Sequence, residues 1–171
     1  LINGDDVLNA NVSTVQLTST SNVISNLTFE PSYVYLNCIG LNAVNGTTTN
    51  SIGLFSSGIA INDGSDTNCG QLCFDDNSQS TTNSGQYTSN THSVGQYYLG
   101  SLSWGGSLGS YTSSGFTVTT TASPGNDFIS FLAIELDSGA QAKIVTHDSP
   151  TATGSHSFSG VGFTPTYSML M

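Results

Sequence analysis

A succession of short segments with a two-residue period, separated by turns, most constrains what this chain can fold into. Residues 33–39 alternate, with Val34, Leu36 and Cys38 on one face. Residues 116–121 alternate in the same way, and 128–136 form the most hydrophobic run. No window keeps a period of 3.6 residues, and good helix formers are scarce. About ten such segments, spaced by about 8–12 residues, predict an all-β protein: a β-sandwich or jelly roll of short antiparallel strands with essentially no helix.

The apolar residues of these segments define the expected core. We expect 128–136 to be the central strand, buried on both faces or nearly so, with 140–147 running back as its hairpin partner. Residues 56–58 are predicted to be a turn between two short strands, and 62–90 to be long loops around one or two brief strands. The side chains predicted to be buried are Val34, Leu36, Phe116, Val118, Phe128, Phe131 and Ile134.

The charge balance excludes two classes of partner. The 171 residues include 11 carboxylates and one cation, Lys143, for a net charge of -10. Nothing is available to neutralise phosphates, so we expect neither nucleic acid nor a membrane surface as a partner. The sequence has no stretch of about 18 consecutive apolar residues, so we predict no transmembrane helix. A hydrophobic content of 36% argues against disorder, and a surface of hydroxyls and amides suits an extracellular or virion-surface protein.

A segment near the start of the chain recurs near its end. Residues 25–36 align without gaps to 159–170, with five identical positions, and a Ser/Thr-rich approach precedes both copies. The offset of 134 residues is the size of a domain, so the chain reads as one module, 1–158, plus a strand, 159–171, that repeats 25–37. That strand is either an edge strand of the same domain or the opening of a second module. The alternative is that two strands share the same sequence pattern by chance.

The repeated strand is also the candidate assembly element. Its apolar side chains, Phe163, Tyr167, Met169 and Leu170, need cover, because a bare apolar strand templates aggregation. We expect the strand to fold back as an edge of its own sandwich. The alternative is that it adds to a neighbouring subunit by β-augmentation.

Three local patterns carry a resemblance to a known group of proteins. They are 29–34 (Phe-Glu-Pro-Ser-Tyr-Val), 111–118 (Tyr-Thr-Ser-Ser-Gly-Phe-Thr-Val) and 131–134 leading to 144–146, followed by Gly-Phe-Thr-Pro at 162–165. Together they resemble the repeated β-sandwich modules of bacteriophage virion proteins, often tail-fibre or other surface proteins, related in shape to concanavalin- and laminin-G-like sandwiches. The resemblance covers most of the chain except 40–95. It implies a structural module without a shared catalytic site.

The residues themselves offer little for catalysis. His92, His147 and His156 are the only general bases with a pKa near neutrality. His147 is followed by Asp148 and Ser149, but adjacent residues point in different directions and cannot form a relay. We therefore expect no enzymatic activity and no catalytic residue.

Two ligand or cross-link sites are worth testing. Calcium favours several oxygens from one or two loops, so Asp63 and Asp66 with Asp75 and Asp76 form a candidate site, solvated turns being the alternative. Cys69 and Cys73 could close a small disulfide loop or remain thiols, and Cys38 is expected to be a buried hydrophobe.

A candidate glycan platform completes the set. Exposed aromatic rings stack on sugar C–H faces, and Tyr97, Tyr98, Trp104 and Tyr111 lie close in sequence, although a lone tryptophan in a sandwich can equally be core. The leading hypothesis is a non-enzymatic structural module of a virion or other extracellular assembly, whose partners are copies of itself or other surface subunits. The alternatives are a carbohydrate-binding attachment module that contacts host glycans, and a subunit of an extracellular surface filament.

Overall fold

A computed structural model describes residues 7–39, 52–76, 83–98, 101–145, 151–165 and 168; at positions 52, 53, 73–76, 83, 84 and 98 only the backbone is described. These residues form an all-β fold without a helix, as predicted. Consequently none of them belongs to a helix long and apolar enough to cross a membrane. The strands of this part of the chain are β1 (Val7–Gln16), β2 (Ser21–Ile24), β3 (Tyr33–Cys38), β4 (Ile52–Ile61), β5 (Thr67–Asp76), β6 (Asn83–Ser89), β7 (Val94–Tyr98), β8 (Ser101–Thr112), β9 (Gly115–Thr120) and β10 (Phe128–Leu136).

The ten strands build two antiparallel sheets. The first has the order β1-β10-β3-β4-β5-β6, and the second the order β2-β9-β8-β7. β10, the last strand among the described residues, lies between β1 and β3 and pairs with both along most of its length. Each sheet turns one face towards the other, so the alternation of each strand divides its side chains between the core and the outside.

The core lies between the two inner faces. Val34, Leu36 and Cys38 of β3 are buried, while the residues between them are only partly covered, as the alternation predicted. Phe116 of the second sheet meets Phe131 of the first edge to face, with ring centroids 5.3 Å apart. Of the predicted core residues, Val34, Leu36, Phe116, Val118, Phe131 and Ile134 are buried. Phe128 is only partly buried, because it opens β10 at the margin of the sheet.

β10 differs from the prediction in its environment. It is the second strand of its sheet, and its burial alternates, with Ser130 exposed and Leu132 partly exposed on the outer face. The expected hairpin partner is absent from 140–145, which form no strand, although the turn after β10 exists: Ala140 N donates to Asp137 O at 2.9 Å. β1 and β3 already occupy both sides of β10, so no position is left for a hairpin strand.

Two segments contain more strand than expected: the predicted turn at 56–58 is part of a strand, and the two strands within 62–90 are long where brief ones were predicted. Residues 56–58 lie inside β4, which runs unbroken between β3 and β5. Gly58 is required there because a Cβ would lie 1.9 Å from the carbonyl oxygen of Ser93. β5 and β6 occupy most of 62–90, and their polar residues join the sheet because ladder hydrogen bonds depend on the backbone, not on side-chain hydropathy.

The repeated segment has a different structure in its two copies. In the first copy Leu27, Phe29 and Pro31 are buried where the chain crosses from β2 to β3. In the second copy 159–165 form no strand, and both Gly160 and Gly162 have positive φ. The predicted edge strand is therefore wrong for 159–165. The rest of the predicted strand, with Tyr167, Met169 and Leu170, lies outside the described residues except for the exposed Ser168.

Candidate functional site

Trp104 lies in the core, which contradicts its predicted role in a glycan platform. Its side chain is 2% exposed, and its indole N–H donates to Asp127 Oδ2 at 3.1 Å. The Gln96 amide donates to the same oxygen. Burial raises the pKa of the Asp127 carboxyl, and the hydrogen bonds from Trp104 and Gln96 oppose that rise. The arrangement fixes an indole and a carboxylate inside the protein, where no sugar ring can stack.

The neighbouring tyrosines do not form a platform either. Tyr97 of β7 stacks on Tyr87 of β6, with ring centroids 5.4 Å apart, and so closes the edge between the sheets. Tyr111 packs against the core beside Phe116, and its hydroxyl is buried without a hydrogen-bond partner among the described residues. Burial raises the pKa of Tyr111, as do the charges of Asp66 and Asp63. The side chain of Tyr98 is not described, so its part in the predicted site stays a prediction.

The four aspartates of the proposed calcium site lie at opposite ends of one strand. Asp63 and Asp66 belong to the turn before β5, whereas Asp75 and Asp76 end β5. Nine residues of extended chain place Asp66 and Asp75 about 30 Å apart, so the four carboxylates cannot share one ion. Within the described residues, no group of three His, Cys, Asp or Glu side chains could hold a metal.

Asp63 has a local structural role. Its carboxylate accepts from the Thr67 hydroxyl at 2.6 Å and from the backbone N–H groups of Ser65 and Thr67. The hydrogen bond from the Thr67 hydroxyl contributes most to lowering the pKa of Asp63, and the bonds from the backbone N–H groups lower it further. This carboxylate thus closes the β4–β5 turn, a role typical of aspartate in turns.

The predicted Cys69–Cys73 disulfide is wrong for the same geometric reason as the calcium site. Both residues belong to β5, whose extended backbone separates their Cα atoms by about 13 Å. A disulfide requires a Cα separation below about 7 Å. Cys69 is a free thiol, and burial raises its pKa. Cys38 is buried, as predicted.

A Ser–His contact that sequence reasoning missed occurs before β7. Ser89 Oγ lies 3.1 Å from His92 Nδ1, but the same oxygen also accepts from the backbone N–H groups of Thr91 and His92. Burial lowers the pKa of His92. The hydroxyl therefore caps a turn. A spacing of three residues between Ser and His carries no signal in a chain so rich in serine.

The broad outer face of the first sheet is the most extensive surface that the strands assemble. Because directly opposed residues share a face, the register defines three rows across five strands. We call these positions the outer face: Ala10, Ile134, Tyr33, Ile61 and Thr67; Val12, Leu132, Tyr35, Ile59 and Cys69; Thr14, Ser130, Asn37, Ser57 and Gln71. None of them is charged, although the chain has a net charge of -10.

Cover over the outer face is uneven. Ile61 and Ile134 are buried, whereas Val12 on β1 is 77% exposed. Near Ile61, the predicted assembly residue Phe163 and its neighbour Val161 line a cleft of about 490 Å³ against residues that follow β10. Lys143 Nζ donates to the Gly160 carbonyl at 2.7 Å and ties this segment to the chain leaving β10. Residues 160–163 thus lie against the sandwich as irregular chain, and the β1 side of the face stays open among the described residues.

Comparison of the chain with protein-family models, with curated protein sequences and with solved structures finds no match.

Proposed function

We propose that this protein is a non-enzymatic structural subunit of a virion or other extracellular surface, and that it acts by associating with copies of itself. The observation that carries the proposal is the uncharged outer face. In a chain with 11 carboxylates and one lysine, fifteen adjacent outward positions across five strands avoid charge altogether. At 7% charged residues overall, fifteen positions would carry about one charge, and a face without any buries no unpaired charge when a second copy covers it.

The distribution of charge supports assembly over catalysis or attachment. Of the carboxylates whose side chains are described, Glu30, Asp63, Asp66 and Asp137 lie outside the strands and Asp127 is buried. Glu135 belongs to β10 but lies outside the three rows of the outer face and accepts from Asn9 of β1. Approach of a second copy with the same net charge is least opposed where no carboxylate lies. The resemblance of the sequence to repeated β-sandwich modules of bacteriophage virion proteins supports this role, and a virion surface is the location that we propose.

The carbohydrate-binding alternative has less support. Its central residue, Trp104, is in the core and bonded to Asp127. The filament-subunit alternative shares the assembly property and differs only in the biological surface on which the protein sits.

Self-association is the property to test. Sedimentation velocity at protein concentrations from about 1 μM to about 1 mM, with electron microscopy of the densest samples, should show oligomers whose fraction rises with concentration. A chain that stays monomeric throughout, at low and at moderate salt, would exclude the proposed function. Saturable binding on a glycan array by the monomer would instead favour the attachment role.

A further inference from the structure

β1 is the margin of the uncharged outer face. It pairs with β10 on one side, and no described strand pairs with its other side. In an antiparallel ladder, alternate residues direct their N–H and C=O groups to each side, so half of the backbone groups of β1 point away from β10. The strand is ten residues long and contains neither a charged residue nor a proline.

The other strand edges of the described sheets differ from β1. β2 has four residues, and β7 has five residues with a register shift. β6 has seven residues, three fewer than β1, and its Tyr87 is stacked on Tyr97 across the gap between the sheets. Proteins protect edge strands by making them short, bulged or charged. β1 has a single register shift, next to Val7, and beyond it exposes the aliphatic Val12 on a long regular edge.

We propose that β1 of one copy pairs antiparallel with β1 of a second copy, so that two six-stranded sheets join into one continuous sheet. The inference rests on the proposed function, self-association, and names the surface that performs it. The same strand on both subunits gives a two-fold symmetric contact that is complementary to itself. It also continues the rows of Ala10 and Val12 across the junction.

The absence of charged residues from β1 favours a second copy of the chain as the partner of this edge. Residues 7–29 contain no charged side chain, so no charged residue of one β1 strand opposes another across the junction. Glu135 of β10 does contact β1, but it accepts from the Asn9 amide near the start of the strand, away from Val12. A basic partner would be attracted to the acidic turns of this protein and would gain nothing from a neutral strand. The contact is narrow, because ten residues extend about 33 Å and an edge adds little area beyond its ladder. It falls below the roughly 800 Å² per partner of a standard interface, so we expect a Kd in the micromolar range or weaker.

The test compares two lysine substitutions at equally exposed valines. Val12→Lys places a charge on the β1 edge, and Val23→Lys places the same charge on the edge strand β2. The wild-type side chains are 77% and 71% exposed, so both variants should fold, which the fluorescence of the buried Trp104 reports. Lysine is chosen because it lowers the net negative charge; loss of association cannot then come from added long-range repulsion. Thr14→Lys, at a second exposed position of β1, replaces Val12→Lys if that variant is unstable.

Sedimentation equilibrium at fixed salt gives the dimer Kd of each variant. We expect Val12→Lys to raise the Kd about tenfold or more and Val23→Lys to change it less than about threefold, because like charges on paired strands disfavour the ladder. A dimer that survives Val12→Lys, or that is lost equally in both variants, overturns the inference and leaves self-association standing. A dimer lost only in a Val161→Ser/Phe163→Ser variant assigns the contact to the end of the chain and also overturns it. A wild-type chain that is monomeric to about 1 mM overturns the proposed function itself.

Discussion

Replacing Gly58 with alanine adds a methyl group where β4 contacts the chain entering β7. The added Cβ would lie 1.9 Å from the Ser93 carbonyl oxygen and 2.5 Å from the Cys69 carbonyl oxygen. Ordinary contacts of a carbon atom begin near 3.4 Å. The Ser93 oxygen would therefore have to retreat by more than an ångström and the Cys69 oxygen by just under one, and both are backbone atoms of paired or hydrogen-bonded chain.

The chain at Ser93 is held from several directions. Its N–H donates to the Gly106 carbonyl at 2.9 Å, and its hydroxyl donates to the Asn68 side chain at 3.0 Å. Two residues on, Gly95 N–H donates to Ser56 Oγ, which belongs to β4 itself. Overpacking by one methyl group costs about 1–3 kcal/mol where side chains can adjust. Because backbone must move here, we expect Gly58→Ala to lower the free energy of unfolding by about 3 kcal/mol or more.

The matched control is Gly139→Ala, in the turn after β10. No atom lies within 4 Å of the Cβ that alanine would add there, and its φ is not in the positive region. We expect a change between zero and a gain of about 1 kcal/mol, from the reduced entropy of the unfolded chain.

Equilibrium unfolding in guanidinium chloride measures both variants, with the single tryptophan, Trp104, as the probe. For a chain of this size, a loss of 3 kcal/mol also lowers the Tm by roughly 6–12 °C. A Gly58→Ala protein within about 0.5 kcal/mol of wild type would show that the sheets separate easily at this contact, and the reasoning would fail.

Three further measurements test the polar interior and the charge. Burial raises the pKa of Asp127, so the native state binds this proton more tightly than the unfolded chain does. The free energy of unfolding of wild type, relative to that of Asp127→Asn, should therefore rise as the pH falls through the raised pKa towards 3.8. A difference between the two proteins that stays constant in unfolding curves at several pH values would argue against this prediction. Asn11→Leu removes a buried Oδ1 atom that has no hydrogen-bond partner among the described residues. At low protein concentration the substitution should raise the free energy of unfolding by about 1–3 kcal/mol, and a destabilised variant would contradict this expectation. Added NaCl should stabilise the monomer by screening its net charge of -10, and a steady fall in Tm between low and moderate salt would refute the account.

Strong alternation made the fold class and most of the core predictable. In β3 the inward positions follow directly from the sequence, because apolar and less apolar residues alternate without interruption. The sequence predicts two short strands in place of β4, because Ser56, Ser57 and Gly58 have the composition of a turn. In the folded protein that glycine serves a close approach between sheets, and composition alone does not distinguish the two uses.

The candidate sites were harder to predict because they depended on distances across the fold. The calcium and disulfide hypotheses assumed loops where β5 is extended, so residues near in sequence were placed far apart. Trp104 was assigned to a surface although its strand turns it inward, and the partner that confirms its burial, Asp127, lies beyond β9. The uncharged outer face could not be foreseen at all, since it exists only once the register of five strands is known.

Because β10 lies between β1 and β3, the first sheet cannot be assembled in full until β10 has been synthesised. Thr14 of β1 meets Ser130 of β10 across 116 residues of sequence. At a translation rate of about 5–20 residues per second, the first strand waits roughly 6–23 s on the ribosome before its ladder partner exists. β3 to β6 pair with successive neighbours and can form earlier, so the nascent chain carries a half-built sheet and an unpaired first strand. A strand made largely of small, hydroxyl-bearing and amide residues stays soluble through such a delay better than a continuous aliphatic strand would.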